Sequence, residues 1–173
     1  NGDDTAYGGN GADSLLGEDG ADLIYAGSGA DRAFGGLGND RLDGEDDNDR
    51  LWGGGGNDQQ FGGTGTDWLY GEDGRDLLSG GSAADQITGG ASNDTLIGGS
   101  GNDVLSLGPG VDVLRIAAGF GSDTVTDFAP GVDHIEIHVP SGSTVTPDVH
   151  YEGGNATITV LDGTLLLLDV APG

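Results

Sequence analysis

The chain has 173 residues, 30 of them Asp or Glu against five Arg and no Lys, for a formal charge of −25 at pH 7. That charge opposes compaction unless cations are supplied, and it makes nucleic acid and anionic membrane surfaces poor partners. With 38 Gly and only 34% hydrophobic residues the composition is that of a disordered chain, because Gly costs most to order and there is little to bury.

An internal order overturns that expectation. The chain opens with NGDDTA, without Met or a cationic leader, and reads as an excised piece. From Tyr7 it divides into nines without a slip: YGGNGADSL, LGEDGADLI, YAGSGADRA, FGGLGNDRL, DGEDDNDRL, WGGGGNDQQ, FGGTGTDWL, YGEDGRDLL, SGGSAADQI, TGGASNDTL, IGGSGNDVL and SLGPGVDVL. Two residues after each Asp stands an apolar residue, from Leu15 and Ile24 to Leu105 and Leu114, with Gln60 and the small Ala6 as exceptions. Each unit therefore predicts a six-residue Gly-rich loop and three residues of strand whose middle side chain points inward. One such strand encloses nothing. Two facing strands joined by loops enclose a core, which predicts an all-β parallel β-roll, a solenoid of nonapeptide repeats with 18 residues per coil. The repeats end near Leu114, so we divide the chain into a roll over 1–114 and a C-terminal β cap over 115–173.

Stacking at one coil per 18 residues aligns the aspartates in two columns. One is Asp13, Asp31, Asp49, Asp67, Asp85 and Asp103; the other is Asp4, Asp22, Asp40, Asp58, Asp76, Asp94 and Asp112. Carboxylates about 4.8 Å apart repel by ~3.5 kcal/mol at an effective dielectric of 20, so each gap calls for a cation. Calcium, which takes six to eight oxygens at about 2.3–2.6 Å, spans such a gap better than magnesium. Alternate carbonyls of an extended loop point to opposite sides, so the expected ligands are each Asp with the carbonyls of the second and fourth loop residues. Those pairs are Gly9 and Gly11, Glu18 and Gly20, Gly27 and Gly29, Gly36 and Gly38, Glu45 and Asp47, Gly54 and Gly56, and Gly63 and Gly65. They continue as Glu72 and Gly74, Gly81 and Ala83, Gly90 and Ser92, Gly99 and Gly101, and Gly108 and Gly110. The gaps predict roughly ten ions, whose charge nearly cancels that of the chain.

Two patterns ride on the repeat. GED recurs at Gly17, Gly44 and Gly71, putting Glu where a carbonyl ligand is expected, and Asp47, Ala83 and Ser92 replace the fourth-position Gly. Asp47 adds charge as well, so it either gives calcium an extra oxygen or weakens its loop. On one outer face Phe34, Trp52 and Tyr70 are spaced by 18, with Arg32, Arg50 and Trp68 alongside. Such a strip can stabilise a thin sheet as a cross-strand ladder, or bind sugar or protein. Both readings stand.

The GGxGxD hexapeptides, such as GGNGAD, GGLGND, GGTGTD and GGSGND, resemble the GGxGxDxUx nonapeptides of the RTX (repeats-in-toxin) family, a calcium-binding β-roll signature. The resemblance covers Asn1 to about Leu114. The following GFGSDTVTDFAPGVDHIEI resembles the segment that closes such rolls. Gly119, Gly121 and Asp123 match its last loop, displaced by two residues from the nine-residue frame. The family implies a bacterial protein exported unfolded by the type I secretion apparatus, which folds on meeting extracellular calcium and assists an attached domain. Other roles consistent with it are an adhesive or carbohydrate-binding module, or the C-terminal part of a secreted protease, lipase or polysaccharide-modifying enzyme.

Beyond the loops, HYEGGNATITVLDGTLLLLDVAPG alternates with turn signals at GG and DG and predicts capping hairpins. His134, Glu136 and His138 alternate with Ile135 and Ile137; three ligands on one flat strand converge poorly on zinc, so a solvated strand face is expected. No HExxH and no GxSxG occurs, and loops that lack Lys and carry Asp repel phosphate, so no catalytic constellation is expected. The absence of Cys rules out disulfides and fits an extracellular setting.

Overall fold

The computed structural model describes residues 1–117, 119–138, 148–152, 155–160 and 163–167. Each repeat supplies one strand: β1 (Thr5–Asn10), β2 (Ser14–Asp19), β3 (Leu23–Ser28), β4 (Arg32–Leu37), β5 (Arg41–Asp46), β6 (Arg50–Gly55), β7 (Gln59–Thr64), β8 (Trp68–Asp73), β9 (Leu77–Ser82), β10 (Gln86–Ala91), β11 (Thr95–Ser100) and β12 (Val104–Ser106). After them come β13 (Val113–Ala117), β14 (Ser122–Val125), β15 (His134–His138), β16 (Asp148–Glu152), β17 (Asn155–Val160) and β18 (Gly163–Leu167).

Odd-numbered strands from β1 to β15 form one sheet and even-numbered strands from β2 to β14 form the other, each parallel and in sequence order. The register is the repeat itself: Leu51 lies beside Leu69, and Phe34 beside Trp52. The strands run six residues where the sequence predicts three. Loop residues such as Gly9 and Gly27 stay aligned in the ladder, which leaves only the fourth to sixth loop positions to turn the chain.

The core is a single file of side chains between the two sheets. Ile24, Leu42, Leu51, Leu69, Leu78, Ile87, Leu96 and Leu105 are each at most 1% exposed, so one apolar residue per unit suffices to seal the roll. Gln60 takes the same position, fully buried; its Nε2 donates to the Tyr70 carbonyl at 2.6 Å, tying one sheet to the other. In the last coils Leu107 and Ile116 stand where other units have the first-position Gly, Val125 continues the apolar file beside Leu105, and Phe120 joins the same core. The parallel stacking continues through β13, β14 and β15, and β18 then pairs parallel to β14. Strands β16, β17 and β18 pair antiparallel with one another, while the GG turn signal and the Asp of the DG signal lie outside the described residues.

Candidate metal centres in the stacked loops

The framework Asp of every loop is held by its neighbours one coil away. For Asp67, the backbone N–H donates to Asp85 Oδ1 at 2.8 Å, the carbonyl accepts from the Gln86 N–H at 2.8 Å, and Oδ1 accepts the Asp49 N–H at 2.8 Å. The same Asp-to-Asp bond repeats along both columns at 2.6–3.1 Å. Asn39, Asn48, Asn57, Asn93 and Asn102 at the fifth position build a parallel ladder, each Oδ1 accepting a backbone N–H from the next coil. Both ladders fix the loops at one coil spacing.

One atom per loop remains without a partner. Oδ2 of each Asp from Asp13 to Asp112 is buried and accepts no hydrogen bond, twelve oxygens in all. An isolated buried carboxylate is unfavourable unless paired or coordinated to a metal. Burial is accordingly the largest cause of raised pKa values along the columns, opposed by the backbone hydrogen bond and, at Asp49, Asp58, Asp85 and Asp94, reinforced by carboxylates of adjacent coils. Asp49, Asp58, Asp85, Asp94 and Asp123 are pushed up to about 7 and Asp67 to about 6. Asp40, Asp76, Asp103 and Asp112 are raised as well.

The orphaned oxygens meet main-chain carbonyls. A Cβ on Gly44 would lie 2.5 Å from Asp49 Oδ2 and 2.5 Å from the Gly62 carbonyl of the next coil. The first loop position forms the same cradle at Gly17, Gly35, Gly53, Gly62, Gly71, Gly80 and Gly89. None of these residues has positive φ, so Gly is there for room. Second- and fourth-position glycines are there for conformation: Gly27 has φ of 106° and Gly29 of 125°, and their Cα atoms face the carbonyls of Gly9 and Gly11 one coil before. Among the described residues the six non-Gly residues with positive φ all occupy these positions: Glu18, Glu45, Asp47, Glu72, Ala83 and Ser92.

Between loops, Oδ2 thus lies beside the first-position carbonyl of the next coil, while the second- and fourth-position carbonyls are directed at the matching residues of that coil. Among the described residues no three His, Cys, Asp or Glu side chains gather. A donor set of one carboxylate and several carbonyls, all oxygen, suits a hard cation such as calcium.

Several predicted site residues stand apart from the repeating arrangement. Asp4 is exposed on the first coil, where its N–H reaches Asp22 Oδ1 at 2.8 Å. Gly121 faces the Gly101 carbonyl and Asp123 Oδ1 accepts the Asp103 N–H at 3.0 Å, so both join a column despite the two-residue displacement. Gly119 faces no neighbouring coil. The sequence reading missed the first-position carbonyls, whose signal was the Gly at nearly every first position. It also missed Asp133, which ends the other column by accepting the Asp112 N–H at 3.1 Å on Oδ1 and the Ala129 N–H at 2.8 Å on Oδ2. Asp127 likewise spends its carboxylate on the Leu107 and Gly108 N–H groups and the Ser106 hydroxyl.

On the outer face, Phe34 and Trp52 stack at 4.5 Å, and Trp52 and Tyr70 at 5.6 Å. Beside them the Arg50 guanidinium lies over the Trp68 ring at 4.4 Å, and Arg32 is aligned with Arg50. His134, Glu136 and His138 occupy the exposed face of β15, where Glu136 pairs with Arg115 at 3.0 Å.

Among curated proteins none matches the chain. The structure is similar to the extracellular lipase LipA from Serratia marcescens, at 17% identity and a TM-score of 0.40, over 98% of this chain and 37% of the lipase. The chain thus spans little more than a third of that enzyme's length. It is also similar to the AlgE6R3 subunit of the Azotobacter vinelandii mannuronan C5-epimerase, at 26% identity and a TM-score of 0.43, over 72% of each chain. The RTX calcium-binding nonapeptide repeat is matched four times, over residues 1–33, 25–60, 61–95 and 79–114. With its nine-residue frame, paired parallel sheets and columns of orphaned carboxylates, the chain belongs to the family of RTX calcium-binding nonapeptide repeats.

Proposed function

We propose that this chain is a calcium-dependent folding module that is disordered when calcium is scarce and becomes a rigid β-roll outside the cell, where it assists the folding, stability and secretion of an attached protein. The twelve orphaned Oδ2 atoms carry the reading. Without cations, folding must bury them unpaired or hold protons on them, whereas calcium bound to the folded state alone stabilises it by RT ln(1 + [Ca]/Kd) per site. Each ion would be held by an Asp Oδ2, the second- and fourth-position carbonyls of the same coil and the first-position carbonyl of the next. The columns accommodate roughly ten such ions at calcium's usual oxygen distances. In that state calcium supplies the countercharge, while the chain's ladders set the spacing.

The roll over 1–114 carries the ions, and 115–173 closes its end. There, Asp127 and Asp133 satisfy loop N–H groups without an ion, a metal-free termination of the stack. Extracellular calcium as the folding signal and passage through a type I secretion apparatus follow from the family resemblance. Circular dichroism in millimolar calcium and in chelator tests the proposal: β signal is expected only with calcium, and an ordered β spectrum in chelator at pH 7.5 would sink it.

A further inference from the structure

Only five cations stand among 30 carboxylates, and two of them are placed directly opposite each other. Arg32 on β4 and Arg50 on β6 are register partners on adjacent strands, an arrangement that like charges disfavour. Arg41 pairs with Asp43 and Arg115 with Glu136, but among the described residues neither Arg32 nor Arg50 has an ion-pair partner. The Arg50 guanidinium lies over the Trp68 ring at 4.4 Å from its centroid, a contact that limits the rotamers open to it. The two guanidinium groups lie along a groove of about 530 Å³ that crosses four units where the loops enter the strands.

Besides the two arginines, Asp13, Asp31 and Asp49 of the calcium column line the groove, and its other residues are mostly small. Ser14 and Thr66 offer hydroxyls, and Asn48, whose Oδ1 is taken by the Thr66 N–H, still has its amide N–H groups to donate. Its apolar lining is limited to Ala12, Ala30 and a Trp68 ring already faced by Arg50, which leaves no pocket for a peptide's hydrophobic anchor. Strands β4 and β6 beneath it are hydrogen-bonded on both sides, so no strand edge is open to a peptide backbone. Two guanidinium groups on adjacent strands beside hydroxyl and amide donors match a polyhydroxylated chain with repeated carboxylates.

We propose that this groove binds an acidic polysaccharide, with Arg32 and Arg50 each engaging a carboxylate of successive or alternate sugar units. The site rests on the calcium reading in one respect: Asp31 and Asp49 immediately precede the two arginines, and cations along that column offset the carboxylate charge that would otherwise repel the ligand. The rings of Phe34, Trp52 and Tyr70 are stacked on one another and do not line this groove.

The test is titration calorimetry of the full chain in excess calcium with tetragalacturonate, neutral maltotetraose and tetraglutamate, with circular dichroism recorded on the same samples. The expected result is binding of tetragalacturonate alone, weakened by salt and reduced about tenfold or more in R32Q/R50Q, whose dichroism stays that of the parent. A folded chain that does not bind tetragalacturonate overturns the site, as does equal binding by R32Q/R50Q or by maltotetraose. Equal binding of tetraglutamate replaces the polysaccharide with an acidic peptide and overturns the proposal too. A chain left unfolded in calcium refutes the calcium reading instead, so the two failures are distinguishable.

Discussion

Asp49 donates its backbone N–H to Asp67 Oδ1 at 2.8 Å, while Asp67 Oδ2, on the same carboxylate, is buried with no partner. One oxygen serves the ladder and the other is left for a cation. Asp67→Asn separates the two roles, since Asn keeps an acceptor for Asp49 but puts an NH₂ group where Oδ2 stood. The variant is expected to fold in saturating calcium, with at least one ion fewer by native mass spectrometry and about 2–3 kcal/mol less calcium-dependent stability. An unchanged ion count would remove Asp67 from the ligand set.

Acid should act in opposite directions on the two states. Burial raises Asp49, Asp58, Asp85 and Asp94 to about 7 in the calcium-free fold, against about 3.9 in an unfolded chain. Between those values the folded chain binds more protons than the unfolded one, so the calcium-free fold gains stability as pH falls from 7 towards 4 and loses it as pH rises. Calcium must displace the same protons, so its apparent affinity should drop below pH 7 by about tenfold per pH unit for each proton displaced. Dichroism in chelator and calcium titrations at pH 5, 6 and 7 check both arms; a calcium midpoint independent of pH contradicts the second.

First- and fourth-position glycines should fail differently. Gly44→Ala places a Cβ 2.5 Å from both Asp49 Oδ2 and the Gly62 carbonyl, obstructing the donors themselves. Gly11→Ala meets nothing within 4 Å but must hold a φ of 112°, a backbone strain of about 1–3 kcal/mol. Gly44→Ala is therefore expected to lower the number of bound ions, and Gly11→Ala only the stability. Equal ion counts in the two variants would place the ions away from the first-position cradle.

Asp47 is the loop residue where the sequence left two readings open. Its side chain is exposed, its φ is 78°, and the Gly65 Cα faces its carbonyl. Its charge also contributes, after burial and the carboxylates of Asp67 and Asp31, to the raised Asp49. Asp47→Gly keeps the carbonyl while relieving strain and repulsion. A gain of about 1 kcal/mol and a lower calcium midpoint are expected. Weaker calcium binding instead would assign the Asp47 carboxylate to an ion.

The repeat frame, the parallel roll and the alternating columns were legible because a solenoid coil contacts only its neighbours, so an 18-residue register follows from a nine-residue period. Asp13 to Asp112 could be named as candidates for the same reason. The closing strands were less legible: Asp123, 20 residues from its ladder partner, was reached only through the displaced GFGSD loop, and Asp133, 21 residues from its partner, belongs to no repeat.

By itself the order of residues determined that thirteen aspartates would be stacked in two columns in a way that demands cations, and that one apolar residue per unit would seal the interior. Tertiary structure alone decided which oxygen of each Asp is taken by a neighbouring N–H and which is left bare. It also decided which glycines provide room and which provide φ, and that Arg32 and Arg50 lie on one groove. The physical reason is that periodicity specifies which residues become neighbours, but the direction of a lone pair, a carbonyl or a guanidinium depends on the turn of a backbone that exists only once the coils are stacked.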